Sequence, residues 1–145
     1  MRRHTFLLIF LISILSVSGC KKYPDGPTFT LLSKRWRLAE DWKKNKIYKN
    51  GTEITTEYLS TIQHESFNLD KSGNFSYTLL TNTGYLEYGG TWSFNTDKSV
   101  IYFSYFIGQQ SFNDGYLILR LKEHDMWLQY TTQSGDLMEY HYVPN

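Results

Sequence analysis

The stretch Lys71-Ser72-Gly73-Asn74-Phe75-Ser76-Tyr77-Thr78-Leu79-Leu80-Thr81-Asn82-Thr83-Gly84 decides the fold. Phe75, Tyr77 and Leu79 alternate with Asn74, Ser76 and Thr78, the period of a strand with one wet face. Turn-forming residues bracket it, Asp70 to Gly73 before and Asn82 to Gly84 after. Turns that short join antiparallel neighbours.

The same pattern extends both ways. Toward the C-terminus, residues 85–94 form a strand interrupted at Gly89-Gly90, where a one-residue bulge is expected, with Trp92 and Phe94 in phase. Residues 99–107 are apolar on both faces: Ile101, Phe103, Tyr105 and Ile107 on one, Val100, Tyr102 and Phe106 on the other. Residues 108–115 read as a polar loop. Strands follow over 116–123, with Leu117, Leu119 and Leu121 on one face, then over 126–132 and 137–143. Toward the N-terminus, Phe67 and Leu69 share a face of 65–69, and 56–60 reads as a short helix or a loop crossing a barrel end. Asn50-Gly51 marks a hairpin turn. Trp36, Leu38 and residues 42–48 read as a long first strand after one helical turn at 31–35.

That makes eight strands joined mostly by short turns, and the expected fold is all-β, an eight-stranded antiparallel up-and-down barrel. Closure removes the exposed strand edges. The interior of such a barrel has room for packed side chains or one small ligand. An open two-sheet sandwich is the competing arrangement of the same strands. Trp36 or Trp42 is expected to plug one end, and Trp92 to lie in the wall.

The chain has 145 residues, 15 basic and 14 acidic side chains, and one cysteine. That balance excludes the basic surface that binds nucleic acid by neutralising phosphates, and the charge-expanded disordered chain. Residues 1–19 read as an export signal: Arg2 and Arg3, then an apolar run over 6–17 too short to span a bilayer. It ends Val17-Ser18-Gly19-Cys20, which resembles a bacterial lipobox with Cys20 as the acylated residue. Cys20 has no disulfide partner in the chain, and acylation removes a free thiol. Several acyl chains, at about 0.8 kcal/mol per buried methylene, would hold the protein on a membrane. Residues 20–30 then form a tether containing Pro24, Gly26 and Pro27, and 31–145 the barrel domain. The expected location is the cell envelope, at the periplasmic face of the outer membrane, because neither an Asp after Cys20 nor an acidic cluster marks the tether for another address. Without residues 1–19 the net charge falls from +1 to −1, since Arg2 and Arg3 leave.

Several short runs in order resemble the lipocalin-like lipoproteins of Bacteroidota. They are Lys34-Arg35-Trp36-Arg37-Leu38 with Trp42, Asn50-Gly51, Lys71-Ser72-Gly73-Asn74-Phe75 and Gly90-Thr91-Trp92-Ser93-Phe94. Ile101-Tyr102-Phe103, Leu117-Ile118-Leu119-Arg120-Leu121, Met126-Trp127-Leu128, Glu139-Tyr140-His141-Tyr142 and the tether start Cys20-Lys21-Lys22-Tyr23 complete the set. The resemblance covers nearly the whole mature chain. It implies a small lipocalin-like barrel, a family usually without an assigned ligand or activity.

Catalytic signatures are missing from the sequence. No nucleophile elbow, zinc-protease motif, phosphate loop or dinucleotide fingerprint occurs, and the one cysteine serves the anchor. Glu139 and His141 share a strand face, but two residues make half a metal site at most, and a solvated outer face is the expected reading. The carboxylates read as exposed. No catalytic residue, metal or cofactor is therefore assigned, and the protein is not expected to be an enzyme. The aromatics carry the information: four Trp, twelve Tyr and nine Phe. Neighbouring strands must present one phase to a shared interior. The inward set is then Phe75, Tyr77, Leu79, Trp92, Phe94, Ile101, Phe103, Tyr105, Leu119 and Leu128. The candidate ligand contacts are Phe75, Tyr77, Trp92, Phe94, Phe103, Tyr105, Leu119 and Leu128. Ten bulky side chains leave a narrow apolar slot, open at the end nearer residues 108–115. Two functions compete: a module that binds a small apolar or amphipathic ligand, and a filled barrel that docks an envelope partner through outward aromatics.

Overall fold

The structure, a computed structural model, describes residues 30–145. The leader, Cys20 and the tether through residue 29 lie outside the described residues. Nine strands and two short helices follow in chain order. Helix α1 (Lys34–Leu38) precedes β1 (Asp41–Lys49), then come β2 (Thr52–Glu53) and α2 (Thr55–Leu59). The remaining strands are β3 (Ile62–Leu69), β4 (Asn74–Thr81), β5 (Tyr85–Phe94), β6 (Val100–Ile107), β7 (Gln110–Leu121), β8 (Met126–Thr131) and β9 (Leu137–Pro144).

Each strand from β3 to β9 pairs antiparallel with the next. The ring closes because β1 pairs with β9, from Trp42 opposite Pro144 to Lys49 opposite Met138. The two-residue β2 only folds back on β1, so the barrel wall has eight strands. This is the expected closed barrel and not the sandwich. The β1–β2 turn runs through Asn50 and Gly51, both at positive φ (51° and 80°), the mirror-image turn that suits hairpin twist.

Three expectations about elements are corrected. Trp36 is helical, because Ser33 caps α1 by accepting the backbone N–H of Trp36. Its side chain is 53% exposed under the Lys71 ammonium, while Leu38 of the same helix is fully buried. Residues 110–115 are strand: β6 and β7 pair from Ile107 opposite Gln110 onward, around a two-residue turn. The β4–β5 register runs unbroken past Gly89 and Gly90, so there is no bulge there. Those glycines permit close approach instead. A Cβ on Gly89 would lie 2.9 Å from the Phe75 carbonyl oxygen, and one on Gly90 would overlap that of Ser104. The register shifts fall between Lys44 and Lys46, Ile62 and His64, and Ile118 and Arg120.

The last shift corrects the phase of β7. Tyr116 and Ile118 face inward, the bulge absorbs a residue, and Leu121 returns to the core. Ile118 is therefore the buried side chain and Leu119 is not.

The core concentrates at one end of the barrel. Leu38 and Trp42 plug it, with the Trp42 indole N–H donating to the Leu38 carbonyl at 2.9 Å. Ile101, Ile118, Met126 and Leu128 fill the space beneath and are at most 1% exposed. Trp92 is 3% exposed and its indole N–H donates to the Asp70 carbonyl. Burying one such side chain contributes roughly 1.5–3 kcal/mol, and a disulfide-free domain depends on that sum.

Candidate ligand cavity

Toward the other end the interior opens into a cavity of about 260 Å³. Tyrosines dominate its wall: Tyr77 on β4, Tyr88 on β5, Tyr105 on β6, Tyr116 on β7, and Tyr140 and Tyr142 on β9. Helix α2 contributes Tyr58 from across the barrel, and Leu79 and the 37%-exposed Leu86 line it from β4 and β5. Phe67, Phe75, Phe103 and Leu128 separate it from the plugged end.

The rings form a connected wall. Tyr88 stacks on Tyr105 at 4.6 Å between centroids, and Tyr105 stacks on Phe112 at 5.2 Å. Tyr116 meets Tyr130, which stacks on Tyr140. A phenol offers a wide apolar face and one polar tip, so the cavity is amphipathic where the sequence suggested an apolar slot.

Among the described residues, three charged side chains reach this interior. The β1–β3 ladder has only two pairs, Asp41 with Asn68 and Trp42 with Phe67. Lys44 and Glu65 are what that register would place opposite each other two residues on. They form a buried ion pair, their side chains 6% and 5% exposed. Tyr77 also donates to Glu65, at 2.7 Å. The pair thus joins two strands whose backbones have stopped pairing. The Lys44 ammonium lies 5.1–5.3 Å from the ring centroids of Tyr58, Tyr77 and Tyr140, close enough for cation–π attraction. The third charge is Asp114 on β7, whose carboxylate accepts the Tyr105 hydroxyl at 2.6 Å.

These surroundings raise the phenol pKa values. Burial pushes Tyr88 up to about 12, and the Asp114 carboxylate adds to it. Tyr105 and Tyr116 are also raised, first by burial and then by Asp114. Burial holds Tyr77, Tyr140 and Tyr142 neutral far into the alkaline range, with Glu65 adding to the effect at Tyr77.

Of the residues expected to contact a ligand, Phe75, Tyr77, Phe103, Tyr105 and Leu128 line the cavity. Trp92 and Phe94 do not. They pack edge to face at 5.4 Å, with the Arg35 guanidinium 4.7 Å over Trp92. Leu119 is excluded by the β7 bulge. Lys44, Glu65 and Asp114 were not expected inside, although each is two residues from an inward aromatic: Trp42, Phe67 and Tyr116 respectively.

The barrel has a lipocalin-like fold. Insecticyanin from the tobacco hornworm Manduca sexta is structurally similar, with a TM-score of 0.55 and 11% identity over 86% of this chain and 68% of that one. No family model and no curated protein matches the chain. At that identity the likeness establishes the fold alone, a closed eight-stranded lipocalin-like barrel.

Glu139 and His141 do meet, with His141 Nε2 2.6 Å from Glu139 Oε1 on the outer wall. His141 stacks on Trp127 at 4.0 Å, and the Arg120 guanidinium covers the same indole at 4.4 Å. His141 therefore belongs to a stacked surface ladder. Among the described residues no group of three His, Cys, Asp or Glu is placed to hold a metal.

Proposed function

We propose that this protein is an envelope lipoprotein, anchored through Cys20 to the outer membrane, whose barrel binds one small amphipathic molecule without chemical turnover. The cavity carries the reading. One end of the barrel is sealed by Leu38 and Trp42, and the other holds about 260 Å³ of space walled by tyrosines. A barrel built only as a scaffold gains by filling that space, because unfilled volume forfeits packing contacts. The wall pairs ring faces with hydroxyls, which suits a ligand with an apolar body and a polar group.

Native mass spectrometry of the full chain, purified from the membranes of its own host, tests both halves. The expected species lacks residues 1–19, carries a diacylglyceryl mass at Cys20 and retains a small adduct. Cys20→Ser should release the protein from membranes. A Cys20→Ser protein that still fractionates with membranes would contradict the anchor. An empty barrel in every preparation would contradict ligand binding. Outward Phe106 and Tyr85, 66% and 62% exposed, fit the competing reading of a partner surface, which needs no cavity.

A further inference from the structure

We propose that the ligand is an organic cation: an amine on a flat apolar body, its charge set against Asp114 and the rings of Tyr88, Tyr105 and Tyr116. The proposal rests on the ligand-binding reading and adds the ligand's charge.

The charges around the cavity do not balance. Lys44 is already spent. Its ammonium has three protons and three acceptors: Glu65, the Tyr77 hydroxyl at 3.3 Å and the Tyr58 hydroxyl at 3.4 Å. Turning it toward an anionic ligand would strand the buried Glu65 carboxylate, which is costly. Lys44 and Glu65 cancel, and Asp114 remains. Among the described residues the one hydrogen bond to its carboxylate comes from a neutral phenol, and no Lys, Arg or His lies within ion-pair distance of it.

The wall around that carboxylate favours the same sign. Aromatic faces attract cations, most strongly where water is scarce. The chain already uses this wall chemistry for its own ammonium, which four tyrosine rings surround at 5.1–5.9 Å. The raised phenol pKa values of Tyr88, Tyr105 and Tyr116 reflect in part the negative field of Asp114. A ligand anion would meet that field unfavourably, and a neutral ligand would gain nothing from it.

Three indoles of matched shape separate the possibilities: tryptamine, 3-ethylindole and indole-3-propionate, each titrated calorimetrically into the full chain at pH 7. Tryptamine should bind about tenfold more tightly than 3-ethylindole, and indole-3-propionate most weakly. Asp114→Asn keeps an acceptor for the Tyr105 hydroxyl and removes the charge. It should bring tryptamine down to the affinity of 3-ethylindole and leave 3-ethylindole unchanged. The wild-type ranking decides the matter even if that variant does not fold. If 3-ethylindole binds as well as tryptamine, or the preference survives Asp114→Asn, the cation assignment is wrong and the cavity reading stands. If none of the three binds, both fail.

Discussion

The two ends of this barrel are built from the same strands and hold opposite interiors. At the plugged end Leu38, Trp42, Ile101, Ile118 and Met126 are at most 1% exposed. The aliphatic side chains there interlock without needing partners, and the buried indole N–H of Trp42 is satisfied by the Leu38 carbonyl. At the open end the inward positions of those strands carry Tyr77, Tyr88, Tyr105, Tyr116 and Tyr140, together with Lys44 and Asp114. Rigid rings with polar tips must reach a partner when buried, and orienting them for that leaves space between them. Stability and binding are thus divided along the barrel axis.

The largest expected effect lies at the plug. Trp42→Ala removes a fully buried indole and its hydrogen bond to Leu38, and should cost about 3–5 kcal/mol in urea unfolding. A loss as small as that of a surface substitution would mean that this end does not carry the stability.

The ion pair at the boundary comes next. Lys44→Met leaves Glu65 buried and uncompensated and should cost about 3 kcal/mol, whereas Lys44→Met with Glu65→Leu should recover most of it. If the double variant is as unstable as the single one, the pair is needed to hold β1 against β3 and apolar contacts cannot replace it.

The tyrosine wall predicts a pH profile. A phenol whose folded pKa lies above its ordinary value of 10.0 stabilises the fold below pH 10, and that contribution is lost as pH rises through the folded pKa. For Tyr88 the window runs from 10.0 to about 12, and Tyr105, Tyr116 and Tyr140 shift in the same direction. Stability should be level to about pH 10 and then fall, with ultraviolet titration showing a fraction of tyrosines ionising only as the protein unfolds. Complete ionisation near pH 10 in the folded state would place those hydroxyls in water.

The two ends were not equally legible in the sequence. The strands followed from alternation and turns: Phe67 and Phe75 each sit between polar neighbours, and the turn over 95–98 opens the strand that carries Ile101 and Phe103. Leu117-Ile118-Leu119 could not be phased that way. Three apolar residues in a row fit either face, and only the register of β8 shows that Ile118 points inward. The charged residues inside escaped for a different reason. A buried charge is tolerable only with a partner, and the partner of Lys44 is 21 residues away on another strand. Parity was the available signal: Glu65 is two residues before Phe67, and Asp114 two before Tyr116. Trp36 misled because a capped helical turn brought Leu38 inward, as a strand would have done.

The smallest expected effect on stability gives the most direct test of a cavity that binds. Leu86 lines the open end and is 37% exposed, so Leu86→Trp should narrow the mouth while changing unfolding by no more than about 0.5 kcal/mol. The measurement is fluorescence titration of N-phenyl-1-naphthylamine into wild type and Leu86→Trp. The account predicts saturable one-to-one binding to wild type and its loss in the variant. Binding that survives Leu86→Trp unchanged, or no saturable binding to wild type, would contradict it.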